Sequence, residues 1–195
     1  MPEYYFDIET HATGEKPDYV NDEIISICYQ PLDNHTGRPR GPLTILKAWE
    51  TSEEDMLAQF LPLFNPDKSW QFVPIGNNLS FDYTCLIYRY RKYGTDIKAW
   101  KLFTERPSVD IKALLVLFNG GSFKGSGLDN FTRKATSGAK VIEWLDAGDY
   151  AAIEDYIRNE AAAFIELYQF LLKTMPETWR AFAKEIGLEI SETTD

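Results

Sequence analysis

In the segment YYFDIETHATG, residues 4 to 14, two carboxylates, Asp7 and Glu9, stand two positions apart in an otherwise aromatic and aliphatic opening. A β-strand turns alternate side chains to one face, so Asp7 and Glu9 project together while Phe6 and Ile8 face the other way. Paired acids entering a core are costly to desolvate, and a bound divalent cation is the most effective partner to offset that cost. Further acids fall where helices would present them. Asp82 ends the run IGNNLSFD, at a helix start near the sheet edge where ligands bind in α/β folds. Tyr156 and Glu160, in DYIRNEAAAFIELYQFLL, are four residues apart and share a helix face. Asp110, in PSVDIKALL, lies at a strand-to-helix or loop-to-helix junction; it either caps the helix beginning near Ile111 or hydrogen-bonds the framework of the acidic site.

Taken singly, each feature has a plainer explanation. An Asp-x-Glu pair in a strand is usually a solvated edge, Phe81-Asp82 a helix cap, and Tyr156 with Glu160 a half-buried aromatic beside a solvated acid. The elements that must position them decide whether they act together. Residues 3 to 9 read as a strand, residues 22 to 33 as a second and residues 42 to 50 as a third, joined through NHTGRPRG, which has the glycine and proline of a hairpin connection. Three successive strands imply an antiparallel meander. Residues 51 to 64 follow as an amphipathic helix, with Ser52 as cap and an apolar stripe at Met56, Leu57, Phe60 and Leu61. A fourth strand, residues 69 to 76, comes after this crossover and is expected parallel to an earlier one. Helices are expected over 82 to 92, 110 to 118, about 127 to 135, 149 to 173 and 176 to 186. The fold class is α/β, a mixed sheet with an antiparallel meander and parallel strands flanked by helices.

The 195 residues, 44% hydrophobic, suit one domain, residues 1 to 195, with a motif-bearing core over about 3 to 172 and a C-terminal helix and tail over 176 to 195. A net charge of −10 argues against a generic polyanion-binding surface, but a metal site and a local basic patch can still admit nucleic acid. Such a patch has two sources. YRYRKYG, residues 88 to 94, interleaves Arg89, Arg91 and Lys92 with tyrosines and is either a phosphate-contacting surface or the polar face of a helix. Lys124, in the glycine-rich FNGGSFKGSG, forms the other with Arg133 and Lys134. Cys28 and Cys85 have no metal-like or redox-like spacing and are expected in the core, which suits a reducing cytoplasm. No apolar run approaches the roughly 18 residues of a membrane span, so no membrane association and a soluble, unexported protein are expected. His11 and His35 are the two histidines, and neither lies five residues before a late carboxylate.

The trio FDIET, NNLSFD and YIRNE resembles the three motifs of the DEDD superfamily of 3′–5′ exonucleases, which have an RNase H-like fold. The Tyr-x-x-x-acid form of the third motif is most similar to the tyrosine (DEDDy) type found in the proofreading domains of family B DNA polymerases. The resemblance implies that Asp7, Glu9, Asp82 and Glu160 hold two divalent metal ions, magnesium or manganese, and that Tyr156 orients the attacking water. Glu160 departs from the aspartate usual there. It also implies that Asn78, with Asn77 the alternative, and Phe81 contact substrate, as Arg89 and Lys124 would through charge. Two cations about 3.5–4 Å apart clamp the attacking and leaving oxygens of a phosphodiester displacement, and hard oxygen donors suit these metals. The expected activity is hydrolysis from the 3′ end of single-stranded DNA or RNA, releasing nucleoside monophosphates in repair, proofreading or end trimming, with a polymerase or repair protein as partner. The alternatives are a binding module of the same fold with turnover lost, for which Glu160 would be the first sign, and an endonuclease.

Overall fold

The computed structural model describes residues 1–12, 14, 17–133 and 138–189. Lys134, the end of the helix expected to 135 and the last six residues of the tail lie outside them. The chain opens with three antiparallel strands, β1 (Glu3–His11), β2 (Glu23–Leu32) and β3 (Thr44–Lys47). Helix α1 (Glu53–Phe64) begins as expected, with the Ser52 Oγ accepting from the Asp55 amide at 3.0 Å. A 3₁₀ turn (Pro66–Gln71) occupies the first part of the expected fourth strand, because Pro66 and the Asn65 side chain, which accepts from the Asp67 amide, favour a turn. Strand β4 is therefore only Val73–Gly76 and runs parallel to β1. Then come α2 (Leu79–Lys92), a two-residue strand β5 (Val109–Asp110) parallel to β4, and α3 (Lys112–Phe118). A 3₁₀ turn (Leu128–Asn130), α4 (Ala139–Ala147) and α5 (Tyr150–Glu185) complete the described chain.

The sheet order β3-β2-β1-β4-β5 makes β1 the central strand, and the mixed α/β, RNase H-like class expected from the sequence is what the chain adopts. The alternation within β1 sorts two cores. Tyr5 packs with Cys28, Ile75, Phe164 and Tyr168 beneath α5, while Phe6 and Ile8 join Ile27, Phe60, Phe72 and Leu86 beneath α1 and α2. Both cysteines are buried. Among the described residues no helix is long and apolar enough to cross a membrane.

Several helices differ from expectation, with α2 beginning at Leu79 rather than 82 and α3 at Lys112 rather than 110. Helix α4 had no counterpart, although Gly148 at its end takes the left-handed conformation (φ 69°) that marks a helix stop. The expected helix beginning near 127 is a single 3₁₀ turn. Pro176 lies inside α5 without ending it, although its ring crowds the preceding turn and its nitrogen has no hydrogen to donate. The flanking Thr174 and Thr178 hydroxyls donate to the Phe170 and Thr174 carbonyls at 2.8 and 3.0 Å.

One close approach governs the sheet's end. A Cβ on Gly76 would sit 2.5 Å from Leu79 Cδ2 and 2.8 Å from the Phe6 carbonyl oxygen, so only glycine lets β4 turn into α2 against β1. Gly76→Ala is expected to destabilise the protein by about 1–3 kcal/mol, the usual cost of forced overpacking, read as a lower denaturant midpoint at unchanged slope.

Candidate metal centre

Pairing of β1 with β4 stops at Tyr5 and Ile75, whereas β1 runs on to His11. Asp7 and Glu9 therefore stand beyond the last parallel rung, at the carboxyl ends of β1 and β4, where open α/β sheets bind ligands. In β1's register with β2 they lie opposite Cys28 and Ser26, and the ladder shifts between Glu9 and Thr10. An irregularity there re-aims side chains at the strand's end. Helix α5 crosses this face and brings Glu160. Asp7, Glu9 and Glu160 each offer a carboxylate oxygen, and these oxygens lie within 4.8 Å of one another. The extra methylene of Glu160, where the resembled motif has aspartate, does not keep its carboxylate out of the cluster.

Asp82 comes from the first turn of α2 and is 3% exposed. Its carboxylate accepts from its own amide and from that of Ile8, the residue between the two β1 acids. Burial pushes its carboxyl well above the ordinary range; the charges of Asp110 and Glu160 push the same way, and the two amides oppose. The α2 start is held from a distance in sequence. Asp110 accepts from the Asn78, Leu79 and Lys112 amides at 2.8, 2.9 and 2.9 Å, so it fastens the amino ends of both α2 and α3. The two roles open for Asp110 in the sequence are thus one arrangement. Asn78 makes the turn from β4 with a left-handed backbone (φ 67°), a conformation that asparagine tolerates better than most residues.

Tyr156 is 6% exposed, and its ring lies 6.0 Å from that of Trp144 on α4. Burial, then the charges of Glu9 and Glu160 and a hydrogen bond to Glu160, push its phenol well above its ordinary value. The same field reaches Cys28, opposite Asp7 on the same face of the sheet. Burial first, and then Asp7, Glu9 and Glu160, push the Cys28 thiol well up. A site this negative, made of carboxylate oxygens, fits hard divalent cations such as magnesium and manganese.

The expected substrate contacts divide. Phe81, half-buried beside Asp82, has its ring 5.7 Å from that of Tyr19 in the loop after β1. Asn78 is exposed, Asn77 half-buried, and Lys124 exposed on a loop folded around the Asn119 side chain. Arg89 is an internal ion-pair partner and not a surface contact. It is 1% exposed, its Nε and Nη2 donate to Glu53 at 2.6 and 2.5 Å, and its Nη1 donates to the Val20 carbonyl at 2.9 Å. Glu53 also accepts from the Ile24 amide at 2.7 Å. Residues two apart on a helix point to nearly opposite sides, so Arg91 faces solvent while Arg89 faces inward; exposed Lys92, three residues on, reaches back to 3.8 Å from Glu53. Asp82, Cys85, Leu86, Arg89 and Tyr90, all buried, follow the i, i+3, i+4, i+7, i+8 stripe that would have revealed this. His11 has a neighbour as well, with Nε2 3.6 Å from Asp146 of α4.

No protein-family model matches this sequence. The fold is similar to that of E. coli exonuclease I in complex with a dT13 oligonucleotide, with a TM-score of 0.62 and 12% identity over 92% of this chain and 43% of that one. The zinc ion bound form of the E. coli exonuclease I complex with single-stranded DNA is alike to the same degree, TM-score 0.62 and 13% identity over 92% of this chain and 42% of that one. The family B DNA polymerase of the hyperthermophilic archaeon Pyrobaculum calidifontis matches with a TM-score of 0.62 and 17% identity, over 88% of this chain and 24% of that one. The chain thus spans less than half the length of each.

Two stability measurements follow from this geometry. In chelator, Asp7→Asn relieves like-charge repulsion and should melt above wild type by about 2–4 °C for each kcal/mol relieved; in excess manganese the order should reverse, because bound metal stabilises only the chain that keeps the ligand. Arg89→Ala strands the buried Glu53 charge and should cost about 3–5 kcal/mol in a denaturant titration, unlike a change at a surface phosphate contact.

Proposed function

We propose that this chain is a metal-dependent 3′–5′ exonuclease acting on single-stranded DNA or RNA ends and releasing nucleoside monophosphates. The observation that carries this function is the meeting of Asp7 and Glu9 from β1 with Glu160 from α5, beside an Asp82 tied to the amide between the first two. Likeness of fold to exonuclease I and to a family B polymerase is in keeping with it.

Asp7, Glu9, Asp82 and Glu160 would hold two divalent cations, magnesium or manganese. When bound, such ions supply charge stabilisation at the phosphoryl oxygens and make water a better nucleophile near neutral pH. The chain's own part is positional. Burial beside carboxylates keeps Tyr156 a neutral phenol at physiological pH. It therefore orients a water by hydrogen bonding and does not act as the base. Glu160 accepts the Tyr156 hydroxyl and fixes its direction. Asn78 and Phe81, at the start of α2, would touch the terminal nucleotide. A role in repair, proofreading or end trimming, with a polymerase or repair protein as partner, accords with this activity.

The test is a time course on 5′-labelled single-stranded DNA and RNA with magnesium, manganese or chelator. Wild type should give a ladder shortening from the 3′ end, absent in chelator. Asp7→Ala should lose more than the roughly 10–100-fold that removal of an outer-shell partner costs. Cleavage of a circular strand would select an endonuclease. Intact substrate under both metals would leave a binding module and overturn the proposal.

A further inference from the structure

Helix α5 carries more than the metal centre. At about 100° per residue, Tyr156, Glu160, Ala163, Leu167 and Phe170 fall in one stripe along its surface. The last three line an open groove of about 520 Å³, together with Phe118 from the end of α3 and Phe131 and Arg133 from the segment after the second 3₁₀ turn. Ala163 is one helical turn past Glu160, and Phe170 is ten residues past it, about 15 Å along the axis at 1.5 Å per residue. The groove thus begins about one helical turn from Glu160, on the same side of α5.

Its lining leaves aromatic side chains open to solvent. Phe118 and Phe170 keep 47% and 54% of their surface open, and the Phe131 ring lies 6.4 Å from that of Phe118. Arg133 is exposed at the same groove, and exposed Lys124 sits on the loop that leaves at Phe118 and returns at Asn130, both of which line it. Glu166 is the acid of the lining and repels phosphate from its own side. On a molecule of net charge −10, this pairing of open aromatic faces with cations matches the needs of a single-stranded nucleic acid: π-faces for successive bases and positive charge for the backbone.

Resting on the exonuclease function above, we propose that this groove seats the single strand upstream of the scissile 3′-terminal nucleotide, with bases stacked on Phe118, Phe131 and Phe170 and phosphates facing Arg133. At a stacked spacing of about 3.4 Å, the roughly 10 Å from Ala163 to Phe170 holds about three nucleotides.

The experiment compares kcat/KM for a ten-nucleotide strand with that for a dinucleotide, in DNA and in RNA, for wild type, Phe118→Leu/Phe170→Leu and Arg133→Gln. Trp179→Leu, at an exposed tryptophan away from the groove, is the control. The long-to-short ratio should fall about tenfold or more in the double leucine variant, which keeps apolar bulk but removes the aromatic faces, and stay at the wild-type value in the control. Arg133→Gln should flatten the salt dependence of long-strand affinity, its log–log slope falling by about 0.7. An unchanged ratio together with an unchanged slope would overturn the groove while leaving the exonuclease intact. If wild type cleaves nothing, the exonuclease function fails by itself. Binding of a labelled ten-nucleotide strand in chelator then decides: equal affinity in wild type and both variants overturns the groove, and a tenfold weakening in the leucine variant supports it. Should the leucine variant melt far below wild type, the Arg133→Gln slope decides.

Discussion

Carboxylates repel, and the fold gathers several of them at the end of its central strand, with oxygens of Asp7, Glu9 and Glu160 within 4.8 Å of one another. That meeting joins residues about 150 positions apart in the sequence. It is imposed by apolar packing on either side, where Tyr5 and Cys28 beneath the acids join Phe164, Tyr168 and Ile157 of α5 in one core. Burial of those side chains, worth about 1.5–3 kcal/mol each, outweighs the electrostatic penalty until a cation cancels it. The site therefore gathers like charge, which a hard cation would offset.

Asp82 depends on a different set of restraints. It reaches the β1 peptide because Gly76 has no side chain to hold β4 off Phe6, because Asn78 accepts a left-handed turn, and because Asp110 ties down the first amides of α2. At the other end of this layer the buried Glu53 and Arg89 pair joins α1, α2, the start of β2 and the loop at Val20. Arg106 plays a similar part at the entry to β4, donating to the Phe72 and Phe64 carbonyls at 2.7 and 2.6 Å. Two arginines of this acidic chain thus serve as internal fasteners. The proposed contact with a polyanion would fall to cations that remain at the surface, among them Arg133 and Lys124.

Much of this was legible in order along the chain. The alternation in YYFDIET separates acids from the Phe6 core, Ser52 and its three following acids mark α1, and Tyr156 and Glu160 share a face because helical periodicity is local. Helix α4 could have been read from Val141, Trp144, Leu145 and the stop at Gly148. The inward turn of Arg89 was legible too, had helical phase been weighed above its tyrosine and arginine composition.

The sequence by itself determined the mixed-sheet class, the candidate acids and the element each rides on, because strand and helix periodicities depend on near neighbours. Tertiary structure alone decided that Glu160 reaches across about 150 residues to join Asp7 and Glu9, that Asp110 caps a helix more than 30 residues before it, and that the stripe below Glu160 opens into a groove. Those relations depend on how one element's side chains meet another's across the sheet, and no local pattern encodes a distance between them.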